Sequence, residues 1–266
     1  MGYIKSQEEI AQIENALARP VYRNSQRLAI EFLIEKKSLA RILPPPLQPT
    51  DTPLVVASVG RWQSNVVGDF SGAAIHVAAS HHGVLGMYVL AIYMNREHPI
   101  IYGRDVVGEP KKWAHAELFK GGSLVSGLAE RNGRPLFSLN AEMSGESGIG
   151  PAQSFTYNFK SRTSASGYGL EEDAILTKTT WKNDFRVFEI GEGEVKLVGG
   201  PHDPLEELQP IEIIRAIYSE YDTSGTCEAV NKIESKTFLP FHYGRMDSWN
   251  LLDSNSHMSP HEELTS

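Results

Sequence analysis

From Gln26 to Ile34 apolar and polar side chains alternate: Leu28, Ile30, Phe32 and Ile34 fall on one face, and Arg27 and Glu31 on the other. A period of two belongs to a strand with one face buried, because successive side chains leave a pleated backbone on opposite sides. Further runs rich in Val, Ile, Tyr and Ala follow at 53–62, 73–79, 84–94, 154–161, 173–180 and 211–218. No long helical period alternates with them, which argues against a parallel βαβ sheet. Two hairpins are expected, one at Asn132-Gly133, a pair suited to the two-residue turn that matches strand twist, and one at Gly191-Glu192-Gly193.

Helices are few and short. Ser6-Gln7-Glu8-Glu9 has the form of a capping box, and Ile10, Ile13 and Leu17 follow at helical spacing until Pro20. A second helix is expected over 35–43, ended by Pro44-Pro45-Pro46, since proline donates no backbone hydrogen bond and restricts the residue before it. The fold class is therefore mostly antiparallel β with a few short helices. So many strands favour a closed barrel or curved sandwich, which removes exposed edges and can enclose an apolar cavity. Residues 1–252 read as a single domain, and 253–266 as a polar, mobile tail.

Composition narrows the partners. A formal net charge of -8 over 266 residues gives no cationic face for nucleic acid. The longest apolar stretch, 84–94, falls far below the roughly 20 residues that span a bilayer, so no membrane partner is expected. Glu8, Glu9 and Glu14 do not fit a signal or transit peptide, and a single cysteine, Cys227, suits a reducing compartment; a cytoplasmic protein is expected. His76, His81 and His82 match no zinc spacing and have no acidic companion, so no metal is called for.

The stretch Gly103-Arg104-Asp105-Val106-Val107-Gly108-Glu109-Pro110-Lys111-Lys112 ends in two lysines behind a proline. A neutral lysine amine attacks a carbonyl carbon and loses water to give a protonated imine, which draws electrons from the neighbouring carbon. An ordinary lysine, with a pKa of about 10.4, is almost wholly protonated at neutral pH. Removal from water and a nearby like charge both favour the neutral form; an apolar cavity offers the first and Lys112 the second. In an extended segment Lys112 points away from Lys111, so burial is expected to dominate. Glu109, two residues before Lys111, shares its face in such a segment and is the best carboxylate candidate. Tyr88 and His76 lie on expected strands and are candidate proton donors.

The segment from Tyr93 to Lys112, with Gly103-Arg104-Asp105 followed by Pro110-Lys111-Lys112, resembles the active-site region of the acetoacetate decarboxylase family. The likeness runs from about Asn24 to Met143, and includes Ser80 to Tyr88 upstream and Leu124 to Met143 downstream. It implies an open, cone-like β-barrel around a cavity, Lys111 as the imine-forming lysine, Lys112 as its basic neighbour, a homo-oligomer, and no cofactor. Where the family has an arginine and two glutamates, an ungapped count finds Ser25, a position near Ala57, and Gly72. Arg23 and Arg27 flank Ser25 at strand spacing and are candidates to hold a substrate carboxylate. With the family's acids missing, the expected function is a Schiff-base lyase acting on a small oxo acid. Aldolase, dehydratase or hydratase chemistry on a 2-oxo acid such as pyruvate comes first. True acetoacetate decarboxylation is the alternative, and a non-catalytic cavity binder the second.

Overall fold

The computed structural model describes residues 2–251, so the tail from 253 onward lies outside the described residues. Helix α1 (Gln7–Ala18) opens with the expected capping box: Glu9 N–H donates to Ser6 Oγ at 3.2 Å, and Ser6 N–H to Glu9 Oε2 at 3.0 Å. Strand β1 (Val21–Leu33), helix α2 (Lys36–Ile42) and strands β2 (Gln48–Pro49), β3 (Leu54–Ser64), β4 (Gly68–His81) and β5 (Val84–Met94) follow. Helix α3 (Glu97–Tyr102) runs into a π turn, Gly103–Val107. After it come β6 (Lys111–Trp113), β7 (His115–Gly121), β8 (Leu124–Arg131), β9 (Arg134–Ser147), β10 (Gln153–Lys160), β11 (Ala174–Leu197), β12 (Glu212–Ile233) and α4 (Ser235–Gly244). Among the described residues no helix is long and apolar enough to cross a membrane.

The strands form one large, mostly antiparallel sheet in the order β10-β5-β4-β3-β1-β12-β11-β9-β8-β7. Strand β10 also pairs with β11, so seven strands close into a ring. Two pairings are parallel, β10 with β5 and β6 with β5. Strands β7 to β9 continue from the long β11 and fold over the outside of the ring. There Val125, Ala129, Phe137 and Leu139 pack against Leu28, Ile30, Phe32, Ala57, Val59 and Ile75. The main apolar core is thus outside the ring, between it and its cover, and the face carrying Arg27 and Glu31 turns inward. Each fully buried Leu, Ile or Phe here contributes roughly 1.5–3 kcal/mol.

The Asn132-Gly133 turn is as expected, with φ of 52° and 72° joining β8 to β9. The hairpin expected at 191–193 is absent, because β11 runs unbroken through it. Its glycines serve close approach. A Cβ on Gly191 would stand 2.8 Å from Met143 Cα and closer still to the Glu142 carbonyl, and one on Gly193 would stand 2.6 Å from Ile30 Cδ1. A second departure lies in β1, where a bulge between Tyr22 and Ser25, with Asn24 at φ 48°, breaks the alternation.

Replacing Gly191 by valine forces a side chain into the β9 backbone, at a cost of about 1–3 kcal/mol. The expected outcome is a melting midpoint lower by several degrees, at roughly 2–4 °C per kcal/mol for a chain this long, measured by thermal denaturation. An unchanged midpoint would contradict close packing at this position.

Candidate active site

All seven ring strands contribute to an interior cavity of about 360 Å³. Lys111 enters it because β6 pairs in parallel with β5, with Ile92 opposite Lys111 and Tyr93 opposite Lys112. Ile92 lines the cavity, so its partner also points in and the next residue points out. Lys111 Nζ lies 2.8 Å from Glu109 Oε2, with only 5% and 11% of the two side chains exposed. At this distance a proton can pass between the two groups without net change of charge.

The approach to the pair is helical rather than extended. Gly103 O accepts from Gly108 N–H at 2.8 Å and from Glu109 N–H at 2.9 Å, and Gly108 ends the π turn at φ 89°. That left-handed conformation, and the backbone of Phe159 and Lys160 against it, demand glycine. Arg245, just past α4, donates to Gly108 O at 2.7 Å and to Phe159 O at 3.1 Å, and Thr177 Oγ1 donates to Val107 O at 2.7 Å. Gly103 itself has ordinary helical angles, φ −63° and ψ −42°. What it needs is space: a Cβ there would fall 2.6 Å from Glu109 Oε2 and 2.8 Å from Lys111 Cε.

Lys112, the basic neighbour, points away from Lys111 as expected of an extended segment, and its charge is engaged elsewhere. Its amine donates to Asp203 Oδ1 at 2.8 Å and His202 O at 2.7 Å, and lies 3.2 Å from Asp247 Oδ1. Arg131 spans the same two aspartates, at 2.9 Å to Asp203 and 2.6 Å to Asp247, and Tyr93 donates to Asp203 at 3.0 Å. Burial raises the pKa of Asp247, but the hydrogen bonds from Arg131 and the charge of Lys112 outweigh it and hold the carboxyl down to about 2. Two cations and two anions balance, so Lys112 locks β6 to the 200–208 segment and to the chain after α4. Local sequence gave no sign of this cluster, because its carboxylates lie 91 and 135 residues beyond Lys112.

Arg27 and His76 line the ring cavity with Lys111 and Glu109. Arg27 has no ion pair or hydrogen bond among the described residues, and its Nε is buried without a partner. Burial, and secondarily the charge of Arg27, push the pKa of His76 down to about 3, so its imidazole is neutral at pH 7. Besides Lys112, two candidates are not brought in. The β1 bulge turns Arg23 outward, where it is mostly exposed and sits 3.8 Å from Asp222, and swings Tyr22 into the cavity instead. Tyr88 packs outside the ring, edge-on to Phe159 at 5.8 Å, beside a separate recess of about 230 Å³. Glu31 was passed over as a site residue. It lines the cavity and is paired with Arg215 at 2.7 Å, and its position four residues after Arg27 on a strand was the available signal.

Neither the family's arginine nor its two glutamates stand at the three ungapped positions. Ala57 belongs to the outer core, Ser25 is buried, and Met94 covers Gly72, its sulfur 2.7 Å from where a Cβ would be. Among the described residues no group of three His, Cys, Asp or Glu side chains is placed to hold a metal ion.

Gly103→Ala is expected to keep the fold but displace Lys111 and Glu109, lowering any amine-dependent reaction at least tenfold while leaving the far-ultraviolet circular dichroism unchanged; full reactivity would contradict the spacing. A second expectation concerns acid. Between pH 6.5 and about 3 the unfolded chain protonates a histidine that native His76 keeps neutral, so stability is lost as pH falls through that window. His242, held down to about 4 by burial and by Arg245 and Arg104, adds to the same loss. Urea midpoints at pH 7 and pH 4.5 should differ less in His76→Gln than in the parent chain.

The sequence model described as acetoacetate decarboxylase matches residues 5–234. A curated acetoacetate decarboxylase of Paraburkholderia phytofirmans is 32% identical over 118 residues, covering 40% of this chain and 46% of that protein. The chain thus matches about half the length of such curated relatives. Among solved structures, acetoacetate decarboxylase from Legionella pneumophila superposes with a TM-score of 0.75 at 18% identity, over 80% of this chain and 87% of that one. The enduracididine biosynthesis enzyme MppR, complexed with pyruvate, does so at 0.69 and 15% identity, over 82% and 91%. At these identities the likeness is one of fold.

Proposed function

Since the chain belongs to the acetoacetate decarboxylase family, we propose that it is a lyase that forms a Schiff base between Lys111 and an oxo acid. The observation that carries this reading is the buried Lys111–Glu109 pair, opening on a cavity that also holds an arginine, Arg27, unpaired among the described residues. Glu109 takes a proton from the Lys111 ammonium, and the freed amine adds to the oxo carbon. The protonated Glu109 then returns its proton to the departing hydroxyl, so that water leaves and a cationic imine remains. Arg27 is the natural anchor for the substrate carboxylate, being the one cavity cation with no partner among the described residues.

The step after the imine is read as aldol, dehydratase or hydratase chemistry on a 2-oxo acid. By the resemblance, the position near Ala57 and that of Gly72 lack the two glutamates of the decarboxylases and Ser25 lacks their arginine, while the pyruvate complex of MppR shares the fold. Neutral His76 lines the same cavity and offers an imidazole hydrogen-bonding group for that step. The names of the curated relatives favour a second reading, decarboxylation of acetoacetate by the same lysine.

Incubation with pyruvate or acetoacetate and borohydride should add covalent mass to the chain, and Lys111→Ala should abolish it. Glu109→Gln should slow trapping by about 10²–10⁴-fold, the usual worth of a general acid–base. Absence of adducts with either acid would defeat the imine reading, and carbon dioxide release from acetoacetate decides between the two reactions.

A further inference from the structure

We propose that the ring cavity selects a monocarboxylate carrying a bulky aromatic arm, with Trp181 and the rings around it setting that specificity. The inference rests on the preceding reading only for the fate of the oxo group, and takes its support from the volume, lining and charge of the cavity. A three- or four-carbon oxo acid has six or seven heavy atoms. Even at the roughly 30 Å³ that a water molecule occupies in the liquid, these fill little more than half of about 360 Å³. That volume lies in the range of sites that enclose much larger ligands.

The lining accounts for the rest. Tyr22, Trp62, Phe70, Trp181, Phe185 and Tyr221 all face the interior. Tyr22 meets Phe70 at 6.2 Å and Trp181 at 5.8 Å; Trp62 stacks on Phe70 at 5.4 Å, and Phe185 meets Tyr221 at 5.0 Å. The polar ends of the two indoles are satisfied within the wall: Trp181 Nε1 donates to Thr156 Oγ1 at 2.9 Å and Trp62 Nε1 to Tyr221 Oη at 3.4 Å. Trp62 gives one face to Phe70, and together the rings leave an apolar wall toward the interior for an apolar or aromatic group.

Charge fixes the other end of the ligand. Glu109 is paired with Lys111 and Glu31 with Arg215, and His76 is neutral. Among the described residues Arg27 is left as a single uncompensated cation in the cavity, which matches one carboxylate and disfavours a dicarboxylate.

The test uses 3-phenylpropionate and propionate, neither of which has an oxo group to form an imine, with binding measured by calorimetry on the intact chain. The phenyl acid is expected to bind at least tenfold more tightly than propionate, and succinate more weakly than either. Trp181→Leu, and separately Ala74→Leu, which fills the cavity from β4, should each cut the phenyl preference severalfold; two variants guard against one failing to fold. In parallel, borohydride should trap phenylpyruvate at lower concentration than pyruvate. Equal affinity for the two simple acids overturns the proposal even if pyruvate is trapped, and then Lys111 chemistry stands without it. Preferential phenyl binding without trapping of any oxo acid supports the proposal and removes the imine reading alone.

Discussion

The site depends on ring closure by β10. This strand pairs along its length with β11, and at Thr156 and Tyr157 with β5, so that seven strands share an inside and an outside. Once those two sides exist, the alternation of a strand becomes a sorting device. Lys111 is sent to the cavity and Lys112 to the ion cluster beyond the wall, although they are adjacent in sequence. The same rule places Arg27 and Glu31 inside and Leu28, Ile30 and Phe32 in the outer core.

The chemistry proposed for Lys111 rests on its buried contact with Glu109, whose carboxylate lies 2.8 Å from the amine. The pair is also a proton reservoir that needs no other group, which suits imine formation, where a base is needed first and an acid afterwards. Lys112 acts at one remove, since two aspartates and Arg131 neutralise it and tie its strand in place.

Much of this was legible in the order of residues, and the failures have identifiable physics. Strand periodicity, the capping box, the Asn132-Gly133 turn and the opposite facing of the two lysines all arise from interactions within a few residues. Gly191 and Gly193 misled because a glycine that admits a neighbouring strand reads like one that turns the chain. Arg23 misled because a bulge at Asn24 is invisible to counting by twos. The partners of Lys112, and the pairing of Glu31 with Arg215 across 184 positions, exist only after the sheet has formed. The aromatic wall is likewise assembled from strands scattered between Tyr22 and Tyr221, no two of whose rings announce each other in sequence.

Arg245 grips the carbonyls of Gly108 and Phe159 from beyond the last helix. During synthesis on the ribosome the lysine-bearing segment therefore emerges well over a hundred residues before the guanidinium that steadies it. The strands around it can begin to pair first, and the segment that carries Lys111 is steadied only once Arg245 has been added to the chain.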